Sequence, residues 1–478
     1  MVATRMGMRG IGFVSTIVLA RLLAPSDFGL IAMATATTAL VENMGLTSVD
    51  LALVKKNVVS KEDFDSAWTL RAIIGFVMAA VVALMAPLAA KFFSEQRVMP
   101  IMLVLSVRIV LTGFENFPTV EFQRALAFGR EFRFTLACKL IAISLSIAAA
   151  VVIRNYWALV IGMLAGTITQ VGLGYVVTSY RPRISFAKVR HILSFSLWLQ
   201  SINLARFILD KVDQAIVGRI STSAVTGQYF MGSDISSMVT AEIGLPVSRT
   251  LVPIYARLAD RADAYKEAVI KAVSAVGSAC FAAGFGLAAI APEFVRVVLG
   301  DKWTESIPYL TWLGMAATFS ILLDFSSGSA LIVVGRERRT ATLYWVRCLC
   351  IAVTLALGAT YNSPLLIAKL RFAMGLILFP VIIHSVCKGL LIPSKELYFV
   401  IWRPLLAAIV MFFGVRYIGL FPVNNLILLL ILKICYGATI FSTTLVLLWQ
   451  LQGRPQGFEE EIMNIGKQIY KGYFSKKD

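Results

Sequence analysis

An all-α integral membrane protein is the fold class this sequence predicts, and three observations predict it. Hydrophobic residues make up 58% of the 478 residues and charged residues only 15%, with a mean hydropathy of +0.79, far from the balance of a water-soluble domain. Apolar runs of about 20 residues recur along the chain, each long enough to cross about 30 Å of hydrocarbon as a helix that satisfies its own backbone hydrogen bonds. Lysine and arginine collect in every second loop between those runs.

Taken in order, the spans and loops support one another. The first span, 8–23, follows Arg5 and Arg9 and carries Arg21 near its far end; no small-residue cleavage site follows, so it reads as a retained helix and not a signal peptide. The second, 28–50, returns to Lys55, Lys56 and Lys61. Spans 65–90 and 99–121, separated by Lys91 and Arg97, lead to Arg124, Arg130 and Arg133. Spans 134–153 and 156–179, separated by Arg154, lead to Arg181, Arg183, Lys188 and Arg190. Spans 193–218 and 228–252, separated by Arg219, lead to Arg257, Arg261, Lys266 and Lys271. Spans 268–291 and 307–333, separated by Arg296 and Lys302, lead to Arg336, Arg338 and Arg339. Spans 341–360 and 365–387 lead to Lys388 and Lys395, and spans 399–418 and 424–449, with Arg416 between, lead to Arg454, Lys467, Lys471, Lys476 and Lys477. That makes about fourteen transmembrane helices, with the basic loops and both termini in the cytoplasm.

The net charge of +18 is therefore membrane sorting and not a nucleic-acid face, because the basic residues are dealt out over many short segments. The six cysteines, Cys138, Cys280, Cys348, Cys350, Cys387 and Cys435, all fall in apolar spans and read as small packing residues. His191 and His384, far apart, have no metal-ligand spacing around them. No Gly-x4-Gly-Lys-Ser/Thr loop is present, so nucleotide hydrolysis and enzymatic chemistry find no support and no cofactor is expected.

Internal echoes divide the chain. Gly129-Arg130-Glu131-Phe132-Arg133 recurs as Gly335-Arg336-Glu337-Arg338-Arg339, and the Arg21 to Gly29 spacing recurs as Arg219 to Gly227. Repetition of this kind marks transporters built from two related bundles. The expected organisation is a lobe over 1–190, a second of the same orientation over 191–395, two further helices over 396–450 and a cytoplasmic tail over 451–478. The basic stretch Arg181 to His191 is the linker between lobes. In the tail, Phe458, Ile462, Ile465 and Ile469 share a helical face, which reads either as a surface helix on the anionic leaflet or as a frayed polar end.

One span departs from its neighbours. Between Leu193 and Ile220, Ser196, Gln200, Asn203, Arg206, Asp210 and Asp213 recur at steps of three and four on one helix face. A charge at the bilayer centre costs about 2.5–3.5 kcal/mol on insertion scales, so such a stripe lines a wet cavity or pairs with another helix. It is the strongest sign of a transport path.

The block Leu19-Ala20-Arg21-Leu22-Leu23-Ala24-Pro25-Ser26-Asp27-Phe28-Gly29-Leu30, with Ala86-Pro87-Leu88 and Phe92-Phe93, resembles the opening of bacterial Wzx-like polysaccharide transporters of the multidrug/oligosaccharidyl-lipid/polysaccharide exporter superfamily. Phe195 to Trp198, Asp213 to Arg219 and Ala291 to Trp303 fit the second lobe of the same family, and the likeness runs from about residue 10 to 340. The resemblance implies two six-helix lobes around a central cavity and alternating-access flipping of undecaprenyl-diphosphate-linked oligosaccharide across the inner membrane. It also implies partners among the membrane lipids and the machinery of glycan polymerisation and export. The similar lipid II flippases carry two extra helices associated with a lipid-tail groove.

A diphosphate cargo calls for buried cations, and arginine suits it because its planar fork donates paired charge-assisted hydrogen bonds. Arg206 leads the candidates, with Asn203 and Gln200 beside it; the alternative is a structural pair with Asp210 one turn on. Arg108 follows, with Thr112, Glu115 and Thr119 along its face, and a pair with Glu115 as its alternative. Lys211, Arg347 and Lys139 lie inside spans, the last two nearly one repeat apart. Arg71, Arg249 and Lys369 stand near inner ends, where snorkelling explains them equally well. Intramembrane acids could couple transport to H+ or Na+: Asp210, Asp213, Glu115, Glu42 and Asp324, with Asp50, Asp234 and Glu242 as further candidates. Asp213 reads as readily as a packing residue beside Lys211. A multidrug or cation antiporter of the same superfamily is the alternative function, and its cavity would be acidic and aromatic. A glycan polymerase or ligase is disfavoured because no loop is long enough for a large outer domain.

Overall fold

A computed structural model describes residues 2–43, 60–117, 120–122, 125, 127–189, 197–258, 260–417 and 425–453. Among them helix is the only regular structure. The long helices are α1 (Val2–Leu22), α2 (Pro25–Asn43), α3 (Lys61–Phe93), α4 (Val98–Gly113), α5 (Phe128–Ile153), α6 (Trp157–Val177), α7 (Leu197–Ile220), α8 (Ser223–Leu258), α9 (Ala262–Ala289), α10 (Ile307–Asp324), α11 (Glu337–Ala359), α12 (Pro364–Leu390), α13 (Ser394–Tyr417) and α14 (Leu426–Leu451). Among the described residues, 9 helical stretches are long and apolar enough to cross a membrane, with shorter apolar helices at Gly10–Leu22 and Val98–Gly113. The protein is a multi-pass membrane protein. The tail face from Phe458 to Ile469, Asp50 and Thr119 lie outside the described residues.

Local sequence explains the ends. Ser60 caps α3: its Oγ accepts from Asp63 N at 3.3 Å, and its own N–H donates to Asp63 Oδ2 at 2.8 Å, a reciprocal capping box. Asn425 caps α14 by accepting from Ile427 N and Leu428 N at 3.0 and 3.3 Å. The repeated Gly-Arg-Glu segments each open a helix, placing Glu131 and Glu337 in the first turns of α5 and α11, where a carboxylate favours the helix dipole. α4 departs from expectation: the apolar run to 121 breaks at Gly113, leaving Glu115 in the following turn ahead of Pro118, a residue that disfavours helix before it.

The chain forms two compact units. The first contains Met1–Phe230 with Leu355–Pro364, and the second Met231–Thr354 with Leu365–Asp478. In the first, Leu30, Met33, Val82, Ile101, Leu105 and Val160 build a core between α2, α3, α4 and α6. In the second, Phe281, Phe319, Phe379 and Ile383 knit α9, α10 and α12, with Phe319 edge-on to both Phe281 and Phe379. Lipid tails are as apolar as leucine, so such helices are held by close packing and polar contacts and not by escape from water.

The conspicuous Pro-x-Asp-Phe-Gly block has a structural explanation inside the first unit. Asp27 accepts from Ala24 N at 2.9 Å with one oxygen and from Tyr156 N at 3.0 Å with the other, fastening the start of α2 to the entry of α6. Two residues on, Gly29 packs against the start of α8. A Cβ on Gly29 would stand 1.8 Å from the Ser223 carbonyl oxygen, and one on Gly227 would stand 1.8 Å from the Pro25 carbonyl oxygen. The contact is reciprocal, so the Arg21–Gly29 and Arg219–Gly227 echo reflects two equivalent helix starts meeting backbone to backbone.

The segment after α6, read as an interlobe linker, is stitched to the start of α3. Tyr180 Oη donates to Asp65 Oδ1 at 2.6 Å, Arg183 N to the same oxygen at 2.9 Å, Ser185 N to Thr69 Oγ1 at 2.9 Å and Lys188 Nζ to Ser60 Oγ at 2.8 Å. Burial, reinforced by the hydrogen bond to Asp65, pushes the Tyr180 phenol above its ordinary range.

Neither helix backbone at the Gly29–Gly227 contact can retreat as a flexible side chain would, so Gly29→Ala or Gly227→Ala forces α2 and α8 apart. Overpacking of this kind costs about 1–3 kcal/mol or more, above the ~1 kcal/mol that alanine returns in helix propensity. Each variant is expected to melt below the wild type in a thermal unfolding assay on detergent-purified protein; an unchanged or raised Tm would refute the contact.

Candidate functional site

Three cations within helices of the first unit, Arg71, Arg108 and Lys139, are each held by a partner on another element. Arg71 on α3 is buried and its Nη2 donates to Glu115 Oε2 at 2.7 Å, with side-chain exposures of 8% and 7%. Glu115 Oε1 accepts from Gln170 Nε2 of α6 at 2.6 Å, so both carboxylate oxygens are engaged. The Arg71 guanidinium also lies 5.5 Å from the centre of the Phe117 ring. The pair is brought together by a close helix crossing: a Cβ on Gly113 would stand 3.3 Å from the Arg71 carbonyl, which delivers Glu115, two residues later, beneath the guanidinium. The expected snorkelling of Arg71 is thereby overturned, and so is a pair between Arg108 and Glu115. Arg108 instead pairs with Glu42 on α2, because α4 ends before Glu115 could continue the Arg108 face.

Lys139 on α5 donates to the Met8 carbonyl of α1, and its Nζ fills the space that a side chain at position 12 would need. In the second unit Arg347 Nη1 donates to Asp324 Oδ1 at 2.6 Å, with exposures of 5% and 15%, and the guanidinium stands 5.4 Å from the Tyr344 ring centre. Asp324 closes the α-helical part of α10 where the chain passes into a π-helical turn, Phe325–Ala330. Turns of that kind recur at functional sites. Lys139 and Arg347, read from the sequence as nearly one repeat apart, have unlike partners.

The polar face of α7 divides in two. Asn203 and Arg206 are half-buried and Asp210 is exposed. Asp213 is fully buried and both its oxygens accept: Oδ2 from Tyr229 Oη of α8 at 2.7 Å, and Oδ1 from Gln214 N at 2.9 Å. Asp213 therefore holds α7 to α8. Lys211 points elsewhere, donating to Gln214 Oε1 at 3.2 Å and standing 5.7 Å from the Phe230 ring centre. Gln200 is helical in the first turn of α7, but its side chain, like those of Ser196, Arg249 and Glu242, lies outside the described residues. Asp234 on α8 is exposed.

Lys369 sits in the second turn of α12, at the helix end away from Lys388. A further buried pair escaped the sequence reading: Lys433 Nζ of α14 donates to Glu293 Oε1 at 2.8 Å, with exposures of 5% and 13%. Its signal was one lysine inside an apolar run, which the list of intramembrane cations omitted, along with the fully buried Arg403 of α13. Among the described residues no group of three or more His, Cys, Asp or Glu side chains is arranged to hold a metal ion.

The profile of the family described as "Polysaccharide biosynthesis protein" matches residues 18–308, more than half of the chain. The chain belongs to this family. Its relatives include the lipopolysaccharide biosynthesis protein WzxC of Escherichia coli (strain K12), 23% identical over 312 residues, 64% of this chain and 63% of WzxC. The chain thus matches under two thirds of the length of WzxC. The succinoglycan biosynthesis transport protein ExoT of Rhizobium meliloti (strain 1021) is 22% identical over 467 residues, covering 93% of this chain and 91% of ExoT. Among solved structures, the lipid II flippase MurJ in an inward closed conformation superposes with a TM-score of 0.74 at 12% identity, over 95% of this chain and 99% of MurJ. An inward-facing multidrug resistance MATE transporter of the MOP superfamily gives 0.58 at 12% identity, over 81% and 98%. At such identities the likeness shows the fold alone, one shared with MurJ and with the MATE transporter. The likeness read from the Arg-Leu-Leu-x-Pro-x-Asp-Phe-Gly block is met by the family match.

Removing one partner of a buried ion pair strands the other and costs about 3–5 kcal/mol, whereas replacing both with apolar residues is often neutral. Glu115→Leu should therefore lower the Tm sharply, and Arg71→Met combined with Glu115→Leu should recover most of it. A double variant that melts no higher than the single one would show that the two side chains are not coupled.

Proposed function

We propose that this protein flips a lipid-linked oligosaccharide, of the undecaprenyl-diphosphate class, from the cytoplasmic to the outer face of the inner membrane. The observation that carries the reading is the α7 face: Asn203, Arg206 and Asp210 stand half-buried to exposed in the body of a helix whose neighbours are apolar spans. Charges in such a place line a wet cavity or pair with a neighbouring group, and the partial exposure of this face is what a ligand path needs. Family membership and relatives named for lipopolysaccharide biosynthesis and succinoglycan transport support the same reading. So do the arginines and lysines that recur on α3, α4, α5, α7 and α11, the residue types an anionic cargo calls for.

In this mechanism α1 to α14 all cross the membrane, both termini are cytoplasmic, and two lobes, 1–190 and 191–395, rock about the central cavity. The diphosphate enters from the cytoplasm and meets Arg206, with Asn203 and Gln200 contacting the glycan. Arg108 and Arg71 supply positive potential behind it, each steadied by its acid. The lipid tail stays in the bilayer while the headgroup crosses, and the protein acts as a transporter and not as a catalyst.

Coupling to an ion gradient falls to Asp210. Protonating Glu115, Glu42 or Asp324 would strand a buried or half-buried arginine, and Asp213 is tied up by Tyr229, whereas Asp210 is the exposed acid of the polar stripe. The coupling ion is H+ in this reading, and glycan polymerisation and export machinery receives the product.

Arg206→Ala is expected to lower export of the cognate glycan at least about tenfold, the effect of losing ~1.4 kcal/mol of a charge-assisted contact, with normal protein level and Tm. Lipid-linked repeat units should accumulate on the cytoplasmic side. Wild-type export by this variant would remove Arg206 from the cargo path. In proteoliposomes, Asp210→Asn should abolish the response of flipping to an imposed pH gradient, and a response that persists would move coupling to another group.

A further inference from the structure

The second unit contains a cavity of about 580 Å³ in the half of the bundle that holds the start of α10 and the end of α13. Its wall is almost wholly apolar and aromatic: Trp312, Phe319, Phe372 and Phe412 are among the lining residues. It opens where Leu376 and Phe413, both lining residues, are exposed at 44% and 57%, on surface that faces lipid in a membrane-spanning bundle. α14 contributes nothing to it. From Ile307 at one end to Phe319 at the other, α10 runs twelve residues, about 18 Å at 1.5 Å per residue. That is close to one leaflet's share, about 15 Å, of the hydrocarbon thickness.

Two cations mark the rim. Arg416, itself a lining residue and exposed, lays its guanidinium 4.9 Å from the centre of the Phe412 ring. Lys369, one turn before Phe372 on α12, holds its Nζ 5.8 Å from the centre of the Trp312 ring. Among the described residues, no salt bridge engages either cation. An apolar slot one leaflet deep with two cations at its mouth is complementary to one kind of molecule: an acyl chain joined to an anionic head.

We propose that this cavity is a binding site for an anionic phospholipid of the surrounding leaflet, its acyl chain between α10, α12 and α13 and its phosphate between Arg416 and Lys369. The tail of the cargo is a poorer fit, because a polyprenyl chain of eleven isoprene units is several times longer than the slot. The site therefore concerns the lipid environment of the transporter and does not depend on the cargo proposed above.

Trp312 provides the probe. The protein is reconstituted in phosphatidylcholine vesicles that contain a minor fraction of phosphatidylglycerol with brominated acyl chains, a contact quencher of indole. The contribution of Trp312 is isolated by subtracting the emission of Trp312→Phe. Each lysine or arginine beside an anionic lipid contributes about fivefold in affinity, so the pair enriches the anionic lipid about thirtyfold. Quenching of Trp312 should accordingly far exceed the mole fraction of brominated lipid. It should fall to that fraction in Arg416→Gln combined with Lys369→Gln, while brominated phosphatidylcholine as the bulk lipid still quenches that variant, showing that it is inserted. Quenching that merely tracks mole fraction in the wild type, or that survives the double substitution, would overturn the proposal. So would relief of quenching by an equimolar polyprenyl diphosphate, which would assign the slot to the cargo tail.

Discussion

Hydrocarbon solvates no ion, and the first unit of this protein is arranged around that constraint. Arg71 and Arg108 lie within apolar helices and each is met by a carboxylate from a different element, Glu115 and Glu42. Glu115 is answered again by Gln170. Desolvation makes such a pair a weak source of stability but a severe penalty when broken. Helices carrying mismatched charges therefore have few alternative registers available. The charges specify which helix lies against which, a role that apolar surfaces cannot fill in a solvent as apolar as they are.

The same partners let charged groups stand inside the bundle without leaving an isolated cation in lipid. A neutralised guanidinium still donates through its remaining N–H groups and still carries charge toward any anion that approaches with its own hydration partly intact. Charges held by acids on α3 and α4, and a half-buried arginine on α7, give the proposed path a graded character. In the proposed mechanism Arg206 is the group that meets the ligand.

Much of the fold was legible in the sequence because the membrane imposes simple rules. Length, hydropathy and the alternation of basic loops are sufficient to place helices when every backbone group must be satisfied internally. The periodicity of α7 shows only part of its face: Asn203, Arg206 and Asp210 are half-buried to exposed, whereas Asp213 is buried against Tyr229 of α8. What escaped were partners. Arg71 and Glu115 are 44 positions apart, and Arg108 and Glu42 are 66 apart, whereas periodicity speaks only about neighbours within one helix. The attractive local pairing of Arg108 with Glu115 failed because α4 stops at Gly113, and element ends are where pattern reading is weakest. Lys433 and Glu293 were missed since a single lysine in an apolar run has no period at all.

The reciprocal approach of Gly29 and Gly227 has an evolutionary corollary. Each glycine makes room for a carbonyl belonging to the other's helix start, so the two sites share a single steric allowance. Whatever substitutions are tolerated elsewhere, neither position can enlarge at this junction without collision. Because glycine is already the smallest residue, a larger side chain at one position cannot be relieved by a change at the other.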